Sequence, residues 1–176
     1  MSTPERKQDY IKASPDRSQE ELIFGVLSLP VETDPRIAGL VRTLNDLPDI
    51  YTISSCGGHR DPGNRENAVP EGYFYIQFII EPTEEGIQSL GIIDLAARNV
   101  DNDNLMVKVL NCTDNPKLVM FNILGKAGVD PDAYTDEIKS LCGRWGIRTD
   151  GVYDQKIRVR RKVAEDRIRK MNEPKR

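Results

Sequence analysis

Between Tyr73 and Ile80 the chain reads Tyr-Phe-Tyr-Ile-Gln-Phe-Ile-Ile. Phe74, Ile76, Phe78 and Ile80 alternate there with Tyr73, Tyr75, Gln77 and Ile79. A strand sends successive side chains to opposite faces, so a period of two sustained over this stretch predicts a strand with one face in a core. Whatever covers that face must come from the rest of the chain, and the flanking patterns supply it.

Ile37, Leu40, Val41, Leu44 and Leu47 recur at intervals of three and four, which places them on one side of a helix. Thr33 is the expected N-cap, Pro35 suits the first turn, and Pro48 stops the helix. Ile50 to Ser55, rich in β-branched and aromatic residues, predicts a strand that runs straight into Cys56-Gly57-Gly58-His59. Thr83, followed by Glu84 and Glu85, caps a second helix with Ile87, Leu90, Ile93 and Ala97 as its apolar stripe. Leu105 to Leu110 and Leu118 to Leu124 read as strands joined by the turn-forming run Thr113-Asp114-Asn115-Pro116. Asp130-Pro131 opens a third helix, with Tyr134, Ile138, Leu141, Cys142 and Trp145 expected on its buried side. A short apolar run, Leu22 to Leu27, fits a further strand, and its length also fits a helical turn.

Strands outnumber the helices between them and hairpins recur. The expected class is therefore α+β: an antiparallel or mixed sheet covered by helices, in a single domain. Residues 1–20 are polar and are expected to be disordered or loosely attached, the domain to span 21–153, and a basic C-terminal helix or tail to occupy 154–176.

Composition narrows the function classes. With 176 residues, 38% of them hydrophobic, the chain can bury a core without metals or disulfides. It has no run of about 18 apolar residues and no apolar leader after Met1, so the expected address is the cytoplasm, with no membrane partner. Three cysteines, Cys56, Cys112 and Cys142, are too few and too scattered for a disulfide framework and are expected to be free thiols. Charge is divided unevenly. Residues 156–176 hold ten Lys/Arg against three acids, and the rest holds fifteen against twenty-five. A basic tail on an acidic body is one footprint of nucleic-acid binding, and equally that of a terminal helix resting on its own acidic body.

The chemistry-bearing residues crowd into Ser54-Ser55-Cys56-Gly57-Gly58-His59-Arg60. Two glycines at a strand end let the backbone turn and approach a ligand closely, and consecutive N–H groups there can cradle an anion. His59 is the single histidine of the chain. Cys56 and His59 are the candidate catalytic pair, with Ser54, Ser55, Gly57, Gly58 and Arg60 as candidate ligand-binding residues. The alternatives are a Cys–His nucleophile, a metal site completed by remote cysteines, a loop that binds without covalent chemistry, and a plain tight turn. The second short-spaced ligand pair of a structural zinc site is missing, so no metal is expected. The long polar loop after His59 has the character of a lid. No phosphate-binding loop or dinucleotide fingerprint occurs, and Asp101-Asn102-Asp103-Asn104 lacks the glycine and glutamate of a calcium loop.

From Ile37 to His59 an amphipathic helix leads through a short spacer into Tyr51-Thr52-Ile53-Ser54-Ser55-Cys56-Gly57-Gly58-His59. This stretch resembles the start of the wybutosine-synthesising tRNA methyltransferase family, in which a helix leads into a Thr-Ser-Ser-Cys-Ser-Gly-Arg strand end. Ser54, Ser55, Cys56 and Gly58 occupy matching positions, whereas Gly57 and His59 stand where the family has serine and arginine. The resemblance implies S-adenosylmethionine as cofactor and a tricyclic base in tRNA as substrate. Three functions follow as expectations: a domain binding a polar or nucleotide-like small molecule at Ser54–His59, a tRNA-modifying methyltransferase relative whose basic tail contacts tRNA, or a non-catalytic interaction domain. The sequence leaves the ligand, the occurrence of a reaction and the oligomeric state open.

Overall fold

The computed structural model describes residues 33–60, 69–110, 119–156 and 158. The expected strand at Leu22–Leu27, most of the loop after Arg60, the turn at Thr113–Pro116, Cys112 and nearly all of the basic tail lie outside the described residues. A 3-10 turn, Pro35–Ile37, leads into helix α1 (Ala38–Asp46) and strands β1 (Ile50–Cys56) and β2 (Phe74–Ile80). Helix α2 (Glu84–Asp101), strands β3 (Leu105–Leu110) and β4 (Val119–Gly125) and helix α3 (Pro131–Trp145) follow. The four strands form one sheet in the order β1-β2-β4-β3, antiparallel throughout. The fold is α+β, and of the two expected sheet types it is the antiparallel one.

The alternation in β2 does what its period demands. Phe74, Ile76, Phe78 and Ile80 point into a core shared with Ile37, Leu40 and Leu44 of the first helical arm, Ile93 and Ala97 of α2, and Ile138 and Leu141 of α3. Phe78 and Phe121 stack across the central β2–β4 pair, with ring centroids 5.4 Å apart. Tyr134 is fully buried and donates from its hydroxyl to Ile93 O at 2.9 Å, tying α3 to α2. Among the described residues no helix is long and apolar enough to cross a membrane.

Helix ends follow the expected chemistry at Thr83, which accepts from Gly86 N, and at Asp130, which accepts from Asp132 N. The first helical arm differs. Its cap is Asp34, not Thr33: the Asp34 carboxylate accepts from Arg36 N at 3.0 Å, with Pro35 next to it. Two expected core residues also prove exposed, Ile87 by 60% and Trp145 by 65%. Along α2 the buried positions near its start are Gly86 and Ser89, because the helix there runs against backbone: a Cβ on Gly86 would lie 2.2 Å from Glu81 O. Small residues mark that contact and a hydrophobicity count passes over them. Trp145 lies at the end of α3, beyond the core, and Ile147 packs against the core after the left-handed C-cap Gly146.

The corner between α1 and β1 is held by polar groups. Asn45, buried, donates from Nδ2 to Val41 O and to Thr52 Oγ1 and accepts from Thr52 N. Lys156, only 6% exposed, donates from Nζ to Asn45 O, Leu47 O and Ile50 O at 2.7, 2.7 and 2.6 Å, and lies 4.7 Å over the Tyr51 ring. Burial pushes the Lys156 pKa down to about 7, opposed by Asp49, Asp46 and Glu81. In the unfolded chain a lysine keeps its proton up to about pH 10.4. Between those limits the unfolded state holds more protons, so the burial penalty is full below pH 7 and fades as the pH rises. The stability of the protein relative to its Lys156→Met variant should therefore increase from pH 7 to pH 10. Denaturant unfolding of both at a series of pH values checks this, and a constant difference would contradict it.

Candidate functional site

Three segments meet at the end of edge strand β1: residues 34–36, 56–60 and 69–73. His59 N donates to Val69 O at 3.0 Å and pairs with Pro70 in a parallel bridge, while Tyr73 N donates to Pro70 O in the turn that opens β2. Arg36 joins all three segments. Its guanidinium donates to Gly57 O at 2.7 Å, to Gly72 O at 3.0 Å and to Tyr73 O at 3.2 Å. A planar fork with five fixed N–H donors suits converging carbonyls better than a lysine does.

The packing requires glycine at position 58 and leaves a side chain at position 57 in the place of the Asp34 carboxylate. A Cβ on Gly57 would lie 2.5 Å from the Asp34 carboxylate carbon. At Gly58 the backbone is left-handed, with φ of 91°, and a Cβ would lie 2.5 Å from Tyr73 O and 2.6 Å from Pro70 O. Gly58 therefore records close backbone contact within the loop, and Gly57 records the approach of the Asp34 carboxylate.

The placement of the candidate residues turns on a register shift in β1. Ile50 pairs with Ile80 and Thr52 with Phe78, but then Ser54 pairs with Gln77, Ser55 with Ile76 and Cys56 with Tyr75. The bulge between Thr52 and Ser54 reverses the facing of everything after it. Ser54 and Cys56 thus share the sheet face turned away from the helices, and Ser55 lies on the helix side opposite Ile76. The two serines, expected to act together, are separated. Ser54 Oγ is 3.2 Å from the Tyr75 hydroxyl, whose pKa is raised by burial against the opposing Ser54 bond. Cys56 is buried, free and beside Tyr75. His59 is half-buried, and Arg60 is exposed, with Nε 3.2 Å from Glu71 Oε1.

Asp34, Arg36, Gly72 and Tyr75 also shape this site, and sequence reasoning missed them. Asp34 and Arg36 carry no local pattern that marks them, and their loop contacts span more than twenty positions. Tyr75 was read only for its place in a strand. No protein-family model matches the chain, and no curated protein or solved structure does.

Arg36→Met removes three bonds from a cationic donor, each worth roughly 1.5–3 kcal/mol when fully buried and less at this part-exposed site. Amide hydrogen exchange at residues 57–59 and 72–73 should accelerate in that variant while the β2–β4 centre keeps its protection. Gly58→Ala should lower global stability by about 1–3 kcal/mol, the usual strain of a side chain forced into such a conformation, measurable by denaturant unfolding.

Proposed function

We propose that this protein binds a polar, nucleotide-like small molecule at the Ser54–His59 loop. The observation that carries this reading is the Arg36 clamp: one guanidinium holds both backbone segments that form the loop. A site that must present polar groups in fixed positions needs this kind of support from behind. Ser54 lies near the end of β1, and His59 and Arg60 follow the clamped Gly57 in the same turn. Arg60 can exchange its Glu71 partner for an anionic group of a ligand at small cost, because an exposed pair contributes little in water.

In this reading Cys56 packs and shapes the loop, since a nucleophilic thiol needs access and the Cys56 side chain is buried. His59 and Arg60 supply hydrogen bonds and charge to the ligand. The likeness of Ser54, Ser55, Cys56 and Gly58 to a methyltransferase motif makes S-adenosylmethionine a natural probe. A tRNA contact through the tail would rest on residues after Lys156, which is spent on carbonyls inside the fold.

Calorimetric titration of the full chain with adenosine 5′-monophosphate, S-adenosylmethionine and inorganic phosphate tests the reading. At least one should bind, and His59→Ala and Arg60→Ala should each weaken it about tenfold, the loss of one good polar contact. Equal affinity in wild type and both variants would remove the loop from the site.

A further inference from the structure

The corner between α1 and β1 has the chemistry of a binding site, separate from the loop. The Lys156 ammonium nitrogen stands 2.7 Å from Asn45 O, 2.7 Å from Leu47 O and 2.6 Å from Ile50 O, and 4.7 Å from the centre of the Tyr51 ring. An ammonium group has three N–H donors and no acceptor, so these carbonyls match it one for one. The aromatic face attracts the same positive charge. Burial works against that charge, and Asp49, Asp46 and Glu81 favour it.

Each of these groups is held by bonds in which Lys156 takes no part. Asn45 is fixed through its side chain to Val41 O and to Thr52. Leu47 N donates to Leu44 O at 3.1 Å. Asp49 O accepts from Glu81 N at 3.0 Å, and its carboxylate accepts from Thr83 Oγ1. Asp49 has φ of 56°, a left-handed conformation that residues other than glycine seldom adopt, and these bonds hold it there. Ile50 and Tyr51 pair with Ile80 and Ile79 in the sheet, and the Tyr51 hydroxyl donates to Glu81 Oε1 at 2.9 Å. Carbonyls already in place when a cation arrives need little further ordering.

We propose that this corner is a preformed receptor for a primary ammonium group, which the chain fills with its own Lys156 as a tethered ligand. The ligand class follows from the donors required. A guanidinium spreads its N–H groups over a planar fork and cannot aim three of them from one atom. A quaternary ammonium suits the Tyr51 face and leaves the carbonyls without donors. An alcohol brings one O–H. Shortening Lys156 to alanine removes the atoms of a propylammonium ion and leaves the receptor open to a free ion of that kind. In the intact chain the same recognition fastens the segment from Val152 to Lys156 onto α1 and β1, and so fixes the point from which the basic tail continues.

The test is thermal unfolding of the full chain and of its Lys156→Ala variant at pH 6, titrated with propylammonium, tetramethylammonium, potassium and 1-propanol. Propylammonium should raise the melting temperature of Lys156→Ala to a plateau and leave that of the wild type unchanged. Its apparent Kd should lie about tenfold or more below those of the other three probes. If Lys156→Ala does not fold alone, refolding in propylammonium and in none of the other probes is the expected result. An equal response to all four, or no response to propylammonium, would overturn the proposal. A second measurement needs no variant. At pH 6 the wild-type Lys156 ammonium protons should exchange slowly enough with water to give a nitrogen-correlated NMR signal, and rapid exchange would overturn the proposal independently.

Discussion

The register shift between Thr52 and Ser54 determines where every candidate residue of this protein ends up. In an uninterrupted strand Thr52, Ser54 and Cys56 would share the core face. The bulge turns the last two away, and it is held from both sides by one helical arm. Asn45 of α1 grips Thr52 through backbone and hydroxyl just before the shift. Arg36, in the 3-10 turn that opens the same arm, grips Gly57 just after the strand ends. A bulge costs ladder bonds and persists where neighbouring contacts over-determine it. Here two anchors on one rigid arm do so, and the loop inherits its geometry from them.

The other end of that arm shows a related economy. The last carbonyls of a helix have no intrahelical donor, and a cation is favoured there by the helix dipole. α1 has no basic residue in its last turn. Lys156, more than a hundred residues along the chain, supplies the cation to Asn45 O and Leu47 O and extends it to Ile50 O in β1. Tyr153 N donates to Asp46 Oδ1, and Arg42 lies over the Tyr153 ring. Burial raises the Asp46 pKa, while the Tyr153 N–H, Arg42 and Lys156 oppose the rise. The first basic residue of the tail is therefore part of the fold, whatever the residues beyond it do.

Elements with a clean period were legible in the sequence, because periodicity is a local property. β2, α1 and the Thr83 and Asp130 caps fall where alternation, stripe and cap chemistry put them. The α+β class followed from the order of those elements. The errors arose where contact with a remote segment outweighs local pattern. Ile87 fits an apolar stripe, yet near the start of α2 the buried positions are Gly86, packed against Glu81 O, and Ser89. Asp34 displaced Thr33 as the cap, and its carboxylate also packs over Gly57. The site loop was visible as a cluster of reactive residue types. Its arrangement was not, since a single extra residue in β1 leaves no mark in composition and reverses the facing of Ser54, Ser55 and Cys56.

That reversal also joins two features that would otherwise be unrelated. The unit helix–strand–strand occurs twice in the described chain, and the order β1-β2-β4-β3 places the second strand of each unit at the centre. Gln77 and Asn122 come from those two central strands and face each other across their pairing. With a straight β1, the row they begin would meet Ile53 at its edge, and the Ser54 hydroxyl would face the core opposite Ile76. With the bulge, Ser54 completes the row and at the same time begins the loop that Arg36 holds. One residue of slippage in an edge strand thus exchanges Ser54 for Ser55 on the helix side and makes the loop continuous with the polar centre of the opposite face.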